Sequence, residues 1–415
     1  MLKRLLITSL AVFVFANLLT IQTCNACTIG VAAGRATADG RPLVWKSRDG
    51  FKLADNEVYF NTSYKYKFVT MCNAGKTQPR IGVNEKGLAL ANSNSNDLPG
   101  GKSGPDCGQL QQIALGTCAT VEEFQKLLDK TNITGRRTRN NVAIFDVTGA
   151  AAIFEVAGNR YWKYDAADPN VAPDGYLLKT NFAFHGAAKN GLKGVYSADR
   201  YRRTTKLFEQ FYADGKVTYK DILRTQMRDF SDENSKPIPV PFPGRVEPDS
   251  PFGYIDCESS ICRSKTVAAG IIRGTLPGED PRLCTEFVIL GQPALTIAVP
   301  YWPVGKTPPE ANGEKTAPLC DAAKKIRTIL FDYKNPNYIN TYKLRNEKGN
   351  GLWATTFPAE NKMLAEVEEK MAKWRKSGPD IDEMLATEKK FAAQTLDLLK
   401  KTCEKLNSWT PDKGK

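Results

Sequence analysis

The sequence predicts an α+β protein, in which antiparallel strands and separate helices pack together without a repeating strand–helix–strand order. Short apolar runs bounded by turn residues recur over residues 27–300, which is typical of strands. Helical periodicity appears between some of these runs and dominates the tail that starts at Pro358. The 415 residues are enough for one large domain with appendages or for two domains.

The start of the chain has the features of a secretory signal peptide. Two basic residues precede the apolar run Leu5–Leu19, which is too short for a comfortable membrane span. Small residues then predict cleavage between Ala26 and Cys27. We therefore expect a signal peptide over residues 1–26 and a secreted or periplasmic protein that makes no membrane contact once the signal is removed.

Two alternatives to this cleavage stay open from the sequence. One is a retained membrane anchor, and the other is lipoprotein processing, which acylates the amine of the new N-terminal cysteine. Cys24 stands three places before Cys27, where a lipid-modified cysteine is expected to have leucine. We therefore expect an unmodified amine. The predicted organisation is a main domain over 27–345 and a C-terminal helical extension over 346–415.

Cleavage before Cys27 places a thiol and an α-amine in one residue. In model compounds an α-amine titrates at about 7.7–8.0 and a free thiol at about 8.5, so both groups are near their working range at neutral pH. A neighbouring amine is one of the bases that activate nucleophiles of this kind. The sequence therefore favours N-terminal nucleophile chemistry at Cys27.

The net charge and composition argue against one class of function, nucleic-acid binding. The formal net charge is +13, yet the basic residues are scattered and form no aromatic–basic motif of a nucleic-acid binder. A solvated basic surface explains the charge, and an anionic substrate is left open. We expect no nucleic-acid partner.

The numbers of cysteines and histidines limit the disulfides, metal sites and catalytic arrangements that the chain can form. Nine cysteines follow the signal, so eight are expected to form four disulfides in an exported protein and one is left free. Only Cys257 and Cys262 look paired from their spacing. His185 is the single histidine, which excludes a histidine-rich metal site and limits any Ser-His-Asp or Cys-His arrangement to that residue.

The first predicted elements lead back to Cys27. Asp39-Gly40 predicts a hairpin turn that returns Lys46 and Asp49 towards Cys27, although an exposed ion pair at a strand end is the simpler explanation for Lys46 and Asp49 alone. A β-rich segment then covers 57–72, including the alternating aromatics of YKYKF. A turn at Asn84–Gly87 precedes a strand that ends at three asparagines: Asn92, Asn94 and Asn96.

The later part of the chain contains both predicted helices and predicted strands. Thr120 and Glu123 predict a helix N-terminus, and Ser197 predicts another that carries Arg200. The strand over 176–179 presents Thr180-Asn181, and the prolines of 235–252 indicate a linker or surface loop. The remaining predictions are strands at 142–147, 151–156, 265–273 and 286–299, a helix at about 219–230, and two tail helices separated by Ser377-Gly378-Pro379.

Five short motifs, in order, match one family pattern. They are Cys27-Thr28, Lys46-Ser47-Arg48-Asp49, the turn Asn84 to Leu88, Thr180-Asn181 with Phe182 and Phe184, and Ser197 followed by Arg200 and Arg202. The chain resembles the N-terminal-nucleophile hydrolases, specifically the choloylglycine hydrolase and penicillin V acylase group. The acyl-CoA:6-aminopenicillanate acyltransferase type and the N-terminal-cysteine dipeptidases are related to that group.

The resemblance covers residues 27–300 and implies a four-layer αββα sandwich of two antiparallel sheets, to which this chain adds a C-terminal helical hairpin. The family has arginine where this chain has Lys46, unless Arg48 takes that role. The family register selects Asn94 as the oxyanion donor, with Asn92 as a competitor two residues away.

The resemblance also implies site roles. Cys27 is the nucleophile, Asn94 the oxyanion donor, and Asn181 a holder of the amine and substrate. Asp49 accepts a hydrogen bond from the amine or thiol, and Lys46 and Arg200 supply positive charge that favours a thiolate.

The activity implied is hydrolysis of a linear amide C–N bond through a Cys27 thioester, with a small-molecule amide as substrate and no cofactor or metal. Bile-acid conjugates, penicillins, N-acyl amino acids and short peptides all fit. An acyltransferase or a dipeptidase is the alternative, and a disulfide-stabilised exported binding protein is the non-enzyme alternative. A homo-oligomer is left open.

Overall fold

The computed structural model describes residues 26–50, 54–234, 238–313 and 315–407. The strands within these ranges are β1 Cys27–Ala32, β2 Leu43–Asp49, β3 Asn56–Asn61, β4 Phe68–Asn73, β5 Pro79–Asn84, β6 Ala89–Asn94, β7 Asn140–Phe145, β8 Ala151–Val156, β9 Tyr161–Asp165, β10 Tyr176–Lys179, β11 Tyr254–Asp256, β12 Thr266–Arg273, β13 Thr285–Leu290, β14 Val299–Tyr301 and β15 Tyr338–Asn340. The α-helices are α1 Cys107–Thr117, α2 Val121–Thr134, α3 Ala198–Ala213, α4 Tyr219–Arg224, α5 Pro318–Leu330, α6 Thr341–Leu344, α7 Leu352–Ser377 and α8 Ile381–Asn407. Except for Ala26, the predicted signal peptide lies outside the described residues.

Two antiparallel sheets form the centre of the molecule. The six-stranded sheet has the order β10-β1-β2-β12-β13-β14, and the seven-stranded sheet follows the chain from β3 to β9. A small third sheet pairs β11 with β15. The long meander follows from short turns such as the one at Asn84, whose side-chain Oδ1 accepts from the backbone N–H groups of Lys86 and Leu88, each at 3.0 Å.

Helices cover the outer face of each large sheet. On the seven-stranded sheet, Leu90 and Phe154 pack into one buried cluster with Leu110 of α1 and Phe124 of α2. On the six-stranded sheet, the ring of Trp45 stacks on Phe208 of α3 with centroids 4.8 Å apart. The layers are therefore helix, sheet, sheet and helix, which confirms the predicted αββα sandwich.

Strand β2 lies in the middle of the six-stranded sheet and is buried along its whole length. Its alternate residues point to opposite faces. Trp45 and Asp49 share the face that carries α3, whereas Lys46 and Arg48 point between the sheets, where their side chains reach asparagines of the seven-stranded sheet. One short strand thus carries two cations into the interior.

The two predicted tail helices are confirmed as α7 and α8. They form a hairpin that breaks at Gly378, and the Asp380 side chain accepts from the N–H of Glu383 at 3.0 Å. The first helix starts at Leu352 rather than Pro358, so the proline lies inside it. The Trp302 ring contacts Trp374 edge-on at 5.4 Å, and both belong to the principal core.

One strand prediction extended too far. The YKYK residues at 64–67 form a turn between β3 and β4, and Lys65 and Lys86 both lie near the ring of Tyr66. The alternation came from a turn that presents its lysines to solvent rather than from a strand. Among the described helices, none is long and apolar enough to cross a membrane.

Candidate active site

Cys27 is the first residue of β1 and is 5% exposed. It lies opposite Arg48 of β2, so the hairpin does return to the predicted N-terminus. Its backbone nitrogen donates to Oδ1 of Asn181 at 2.5 Å. Ala26 still precedes Cys27 in the structure, so this peptide nitrogen stands where the α-amine of a processed chain would be.

Asn181 connects Cys27 to the end of β6. Its Oδ1 also accepts from Arg200 at 3.1 Å, and its Nδ2 donates to the backbone oxygen of Asn94 at 2.9 Å. Arg200, which is 1% exposed, donates to the carbonyl of Cys27 at 2.9 Å and to the hydroxyl of Thr28 at 3.1 Å. The structure therefore brings Cys27, Asn94, Asn181 and Arg200 together.

The segment that carries Asn181 is held by Ser197, which belongs to the fifth motif, and by Asn141, which sequence analysis did not identify. The Ser197 hydroxyl accepts from the backbone N–H of Asn181 at 2.9 Å. The Asn141 amide donates to the carbonyls of Thr180 and Phe182 at 3.1 and 3.0 Å. These contacts fix the backbone on both sides of Asn181, so its side chain can align with Cys27.

Glu155 anchors the same segment from the other side. Its buried carboxylate accepts from the backbone N–H groups of Phe184 and His185 at 2.6 and 3.0 Å and forms an ion pair with Lys179. Burial opposes ionisation of Glu155, but the Lys179 charge and these hydrogen bonds outweigh it and lower its pKa. A carboxylate inside an otherwise apolar strand, AAIFEV, is the signal that could have identified it.

The single histidine belongs to this anchor. The His185 ring lies 3.0 Å from the Glu155 carboxylate through Nδ1 and stacks on Trp162 with centroids 4.4 Å apart. It is placed with Glu155 rather than with Cys27, so the described residues around Cys27 contain no Cys-His arrangement.

Lys46 lies between the thiol of Cys27 and the end of β6. Its Nζ donates to the backbone oxygen of Asn92 and to Oδ1 of Asn92, the latter at 2.9 Å, and the Cys27 thiol is its other neighbour. Burial lowers the pKa of Lys46 to about 8, with the Cys27 thiolate opposing that shift and the charges of Arg80 and Arg48 adding to it. The ammonium is therefore present at neutral pH and is lost above about pH 8.

The two candidate oxyanion donors differ in their contacts. The side-chain oxygen of Asn92 accepts from Lys46, which fixes the orientation of that amide. The half-buried Asn94 side chain forms no hydrogen bond within the described ranges, and only its backbone oxygen is used, by Asn181. The geometry therefore leaves the Asn94 amide available as a donor.

Asp49 faces away from the thiol. Its Oδ1 accepts from the Thr266 hydroxyl at 2.8 Å, while its Oδ2 is buried without a hydrogen bond and lies 3.6 Å from Nε of Arg263. Burial raises the pKa of Asp49, and the charges of Arg200 and Arg263 oppose the rise. The backbone N–H of Asp49 donates to the carbonyl of Ala26 at 2.8 Å, so Asp49 adjoins the Ala26–Cys27 peptide.

Comparison with models of protein families matches residues 36–243, half of the chain, to the family described as acyl-coenzyme A:6-aminopenicillanic acid acyl-transferase. The chain belongs to this acyl-transferase family. The resemblance inferred from the motifs is thereby confirmed. The segment matched to the acyl-transferase family contains all of the predicted site residues except Cys27, which precedes it.

Solved structures also resemble the chain at low identity. Penicillin V acylase from Agrobacterium tumefaciens is 16% identical, with a TM-score of 0.37, over 66% of this chain and 85% of that one. A variant of the conjugated bile acid hydrolase from Clostridium perfringens is 14% identical, with a TM-score of 0.38, over 63% and 89%. An N-acylethanolamine-hydrolyzing acid amidase ortholog from Caenorhabditis elegans is 12% identical, with a TM-score of 0.36, over 61% and 93%. No curated protein matches the chain. Membership of the acyl-transferase family therefore rests on the family model.

The predicted disulfides do not form. All nine cysteines from Cys27 onwards are free thiols in the structure, so the expectation of four bonds is wrong here. Cys72 instead donates to the carbonyl of Lys76 at 2.9 Å, and Cys257 to that of Asn337 at 3.1 Å. Burial raises the pKa of Cys262 to about 12, so that thiol is unreactive. The core of this acyl-transferase family member is stabilised by apolar packing rather than by disulfide bonds.

The described part of the chain contains no candidate metal site. No group of three or more histidine, cysteine, aspartate or glutamate side chains there is arranged to hold a metal ion. The polar groups around Cys27 are amides and cations, which suit recognition of carbonyl and carboxylate oxygens.

Proposed function

We propose that the chain is an exported enzyme that cleaves a linear amide C–N bond through a thioester on Cys27. The observation that carries this proposal is the Asn181 bridge, which joins the nitrogen of Cys27 to the strand end that presents Asn94. The Asn181 side chain thereby holds Cys27, whose nitrogen would act as the base, close to the strand end that carries the proposed oxyanion donor Asn94.

The reaction follows from these groups. The α-amine of processed Cys27 takes the thiol proton, and the thiolate attacks the amide carbonyl. The Asn94 amide donates to the oxyanion of the tetrahedral intermediate. The C–N bond breaks, the leaving amine takes the proton from the α-ammonium, and a thioester remains. Water, deprotonated by the same amine, then releases the acid and regenerates the thiol.

Asp49 supports this assignment through a buried acceptor that lies 3.6 Å from Nε of Arg263 but forms no hydrogen bond. Its Oδ2 forms no hydrogen bond, and its backbone is bonded to the residue that cleavage removes. Buried polar atoms in native proteins usually have a partner. The α-ammonium of the processed chain would supply one and would be held beside the thiol.

Turnover of defined amides tests the proposal. Purified exported protein is incubated with penicillin V, a glycine-conjugated bile acid, an N-acylethanolamine and N-phenylacetylglycine, and acid and amine are quantified separately. We expect equal amounts of acid and amine from at least one amide, and no products with Cys27→Ala. Products formed equally by that variant would contradict the proposal.

Acyl transfer is the second candidate, because the family description names an acyl-transferase. Transfer and hydrolysis share the thioester and differ in whether an amine or water attacks it. The same incubations with added hydroxylamine separate them, since a transferase converts most of the acyl group to hydroxamate even at low acceptor concentration.

The Lys46 ammonium predicts an unusual pH profile. Because its pKa is lowered to about 8, its charge is present below that pH and lost above it, so kcat/KM should fall on the alkaline side from about pH 8. An arginine loses its proton at higher pH than a lysine, and the pKa of the equally buried Arg48 is about 10, so Lys46→Arg should move this limb up by about two pH units. Lys46→Met should lower kcat/KM at all pH values, by about tenfold or more.

The measurement is kcat/KM between pH 6 and pH 10 for the three proteins, with circular dichroism as the folding control. An alkaline limb that stays in place in Lys46→Arg would assign the limb to another group and remove the proposed role of Lys46.

A further inference from the structure

Two stretches of backbone outside the sheets meet beside Cys27. The first follows β6 and covers residues 95–98, and the second follows β10 and covers residues 180–187. The Nδ2 of Asn181 donates to the backbone oxygen of Asn94 at 2.9 Å, and its Oδ1 accepts from the nitrogen of Cys27. The position of Asn94 relative to Cys27 therefore depends on how these two stretches are held together.

The Asp97 side chain joins the two stretches. Its Oδ2 accepts from the backbone N–H groups of Ala183 and Ala187, each at 2.8 Å. Its Oδ1 accepts from the Ser95 hydroxyl at 2.7 Å, which orients the carboxylate within its own stretch. Hydrogen bonds to a carboxylate are stronger than those between neutral groups. One carboxylate thus ties the stretch after β6 to the stretch after β10.

The second stretch packs closely around Asp97. Leu98, the next residue, is 2% exposed and packs with Ala183 in a small buried cluster. On the other side, a Cβ atom added to Gly186 would lie 2.4 Å from Oδ2 of Asp97. A side chain at Gly186 would therefore push the carboxylate away from the two N–H groups that it accepts from, and glycine permits this close approach of the backbone.

The two stretches differ in how many other anchors they have. Glu155 of β8 accepts from two further N–H groups of the second stretch, and Ser197 and Asn141 hold the backbone on either side of Asn181. The first stretch is the less anchored of the two, so the loss of the Asp97 carboxylate would chiefly release the backbone next to Asn94.

We propose that Asp97 is a positioning residue, which holds the Asn94 amide where the oxyanion forms. This inference rests on the proposed function, because it takes Asn94 to be the donor to the oxyanion of an acyl intermediate. Asp97 acts through the backbone of the two stretches rather than on the reacting atoms. A misplacement of about 1 Å can cost about 10²-fold in rate, so loss of the carboxylate should slow formation of the tetrahedral intermediate.

Two electrophiles separate the oxyanion site from the thiol itself. The Cys27 thiolate attacks the carbonyl of p-nitrophenyl phenylacetate, passes through an oxyanion, and forms a thioester as p-nitrophenolate leaves. With iodoacetamide it displaces iodide and forms a thioether without an oxyanion. The rates at which both adducts appear on Cys27 are measured by mass spectrometry. We expect Asp97→Ala to slow acylation by about tenfold to a hundredfold and to leave alkylation unchanged.

Matched variants test the same contact from both sides. Asp97→Asn keeps an oxygen that can accept from both N–H groups while its nitrogen donates to Ser95, so it should retain most of the acylation rate. Gly186→Ala should slow acylation as Asp97→Ala does. Combined with Asn94→Ala, Asp97→Ala should have little further effect, because a positioning residue acts through the group that it positions. Asp214→Ala, which removes an exposed carboxylate at the end of α3, should change neither rate.

Three results would overturn the inference and leave the proposed function standing. They are unchanged acylation in Asp97→Ala, equal slowing of acylation and alkylation, which indicates a merely structural role, and a full additional loss when Asp97→Ala is combined with Asn94→Ala. If the ester does not acylate wild-type Cys27 although iodoacetamide alkylates it, the proposed function itself is refuted, and the inference with it. A melting temperature for each variant identifies loss of folding.

Discussion

Replacing Cys27 with serine should lower kcat/KM by about 10⁴-fold or more, as removal of a nucleophile does in other covalent enzymes. A hydroxyl is a much weaker acid than a thiol, so the α-amine cannot generate enough of the nucleophile. The fold should persist, because Cys27 is held through its backbone nitrogen and oxygen by Asn181 and Arg200. Steady-state kinetics and a melting temperature measure both effects.

Cys403 provides the matched control. It is a half-buried thiol on α8, and Cys403→Ser should leave kcat/KM unchanged. Wild-type turnover in Cys27→Ser would show that Cys27 is structural, and a loss of activity in Cys403→Ser would show that the assay reports thiol loss or misfolding in general.

The second large effect is expected at Asn94. Asn94→Ala should reduce kcat by about 10²–10³-fold, because its hydrogen bond strengthens only as charge develops on the carbonyl oxygen. Asn92→Ala should cost about tenfold or less, since the backbone oxygen of Asn92 still holds the ammonium of Lys46. Kinetics on both variants with one amide separate the two residues.

The opposite ranking would place the oxyanion donor two residues earlier than the family register does. Wild-type kcat in both variants would mean that the oxyanion is stabilised elsewhere, for example by backbone N–H groups alone.

Much of the fold could be predicted because its signals are local. The Asp39-Gly40 turn, the Asn84 turn and the break at Gly378 each depend on a few neighbouring residues whose backbone preferences are known. The extra turn at residues 64–67 was missed because exposed lysines between tyrosines imitate a half-buried strand.

The site was predictable only where a motif marked it. Cys27, Asn181 and Arg200 stand in short motifs, and the structure brings them together. The engagement of Asn92 by Lys46 depends on strand register between segments far apart in the chain, which composition and spacing do not encode. The disulfide prediction assumed that an exported chain crosslinks its cysteines, whereas a core of this size is closed by apolar packing.

Mass spectrometry of the protein tests the central claim, processing and catalysis at Cys27, most directly. The protein is collected from the secreted or periplasmic fraction, mixed briefly with a turned-over amide, quenched in acid and digested. The account predicts an N-terminus at Cys27 with a free amine, and a single acyl adduct on that residue that hydroxylamine removes. A different N-terminus, a lipidated Cys27, or an adduct on any other residue would contradict it.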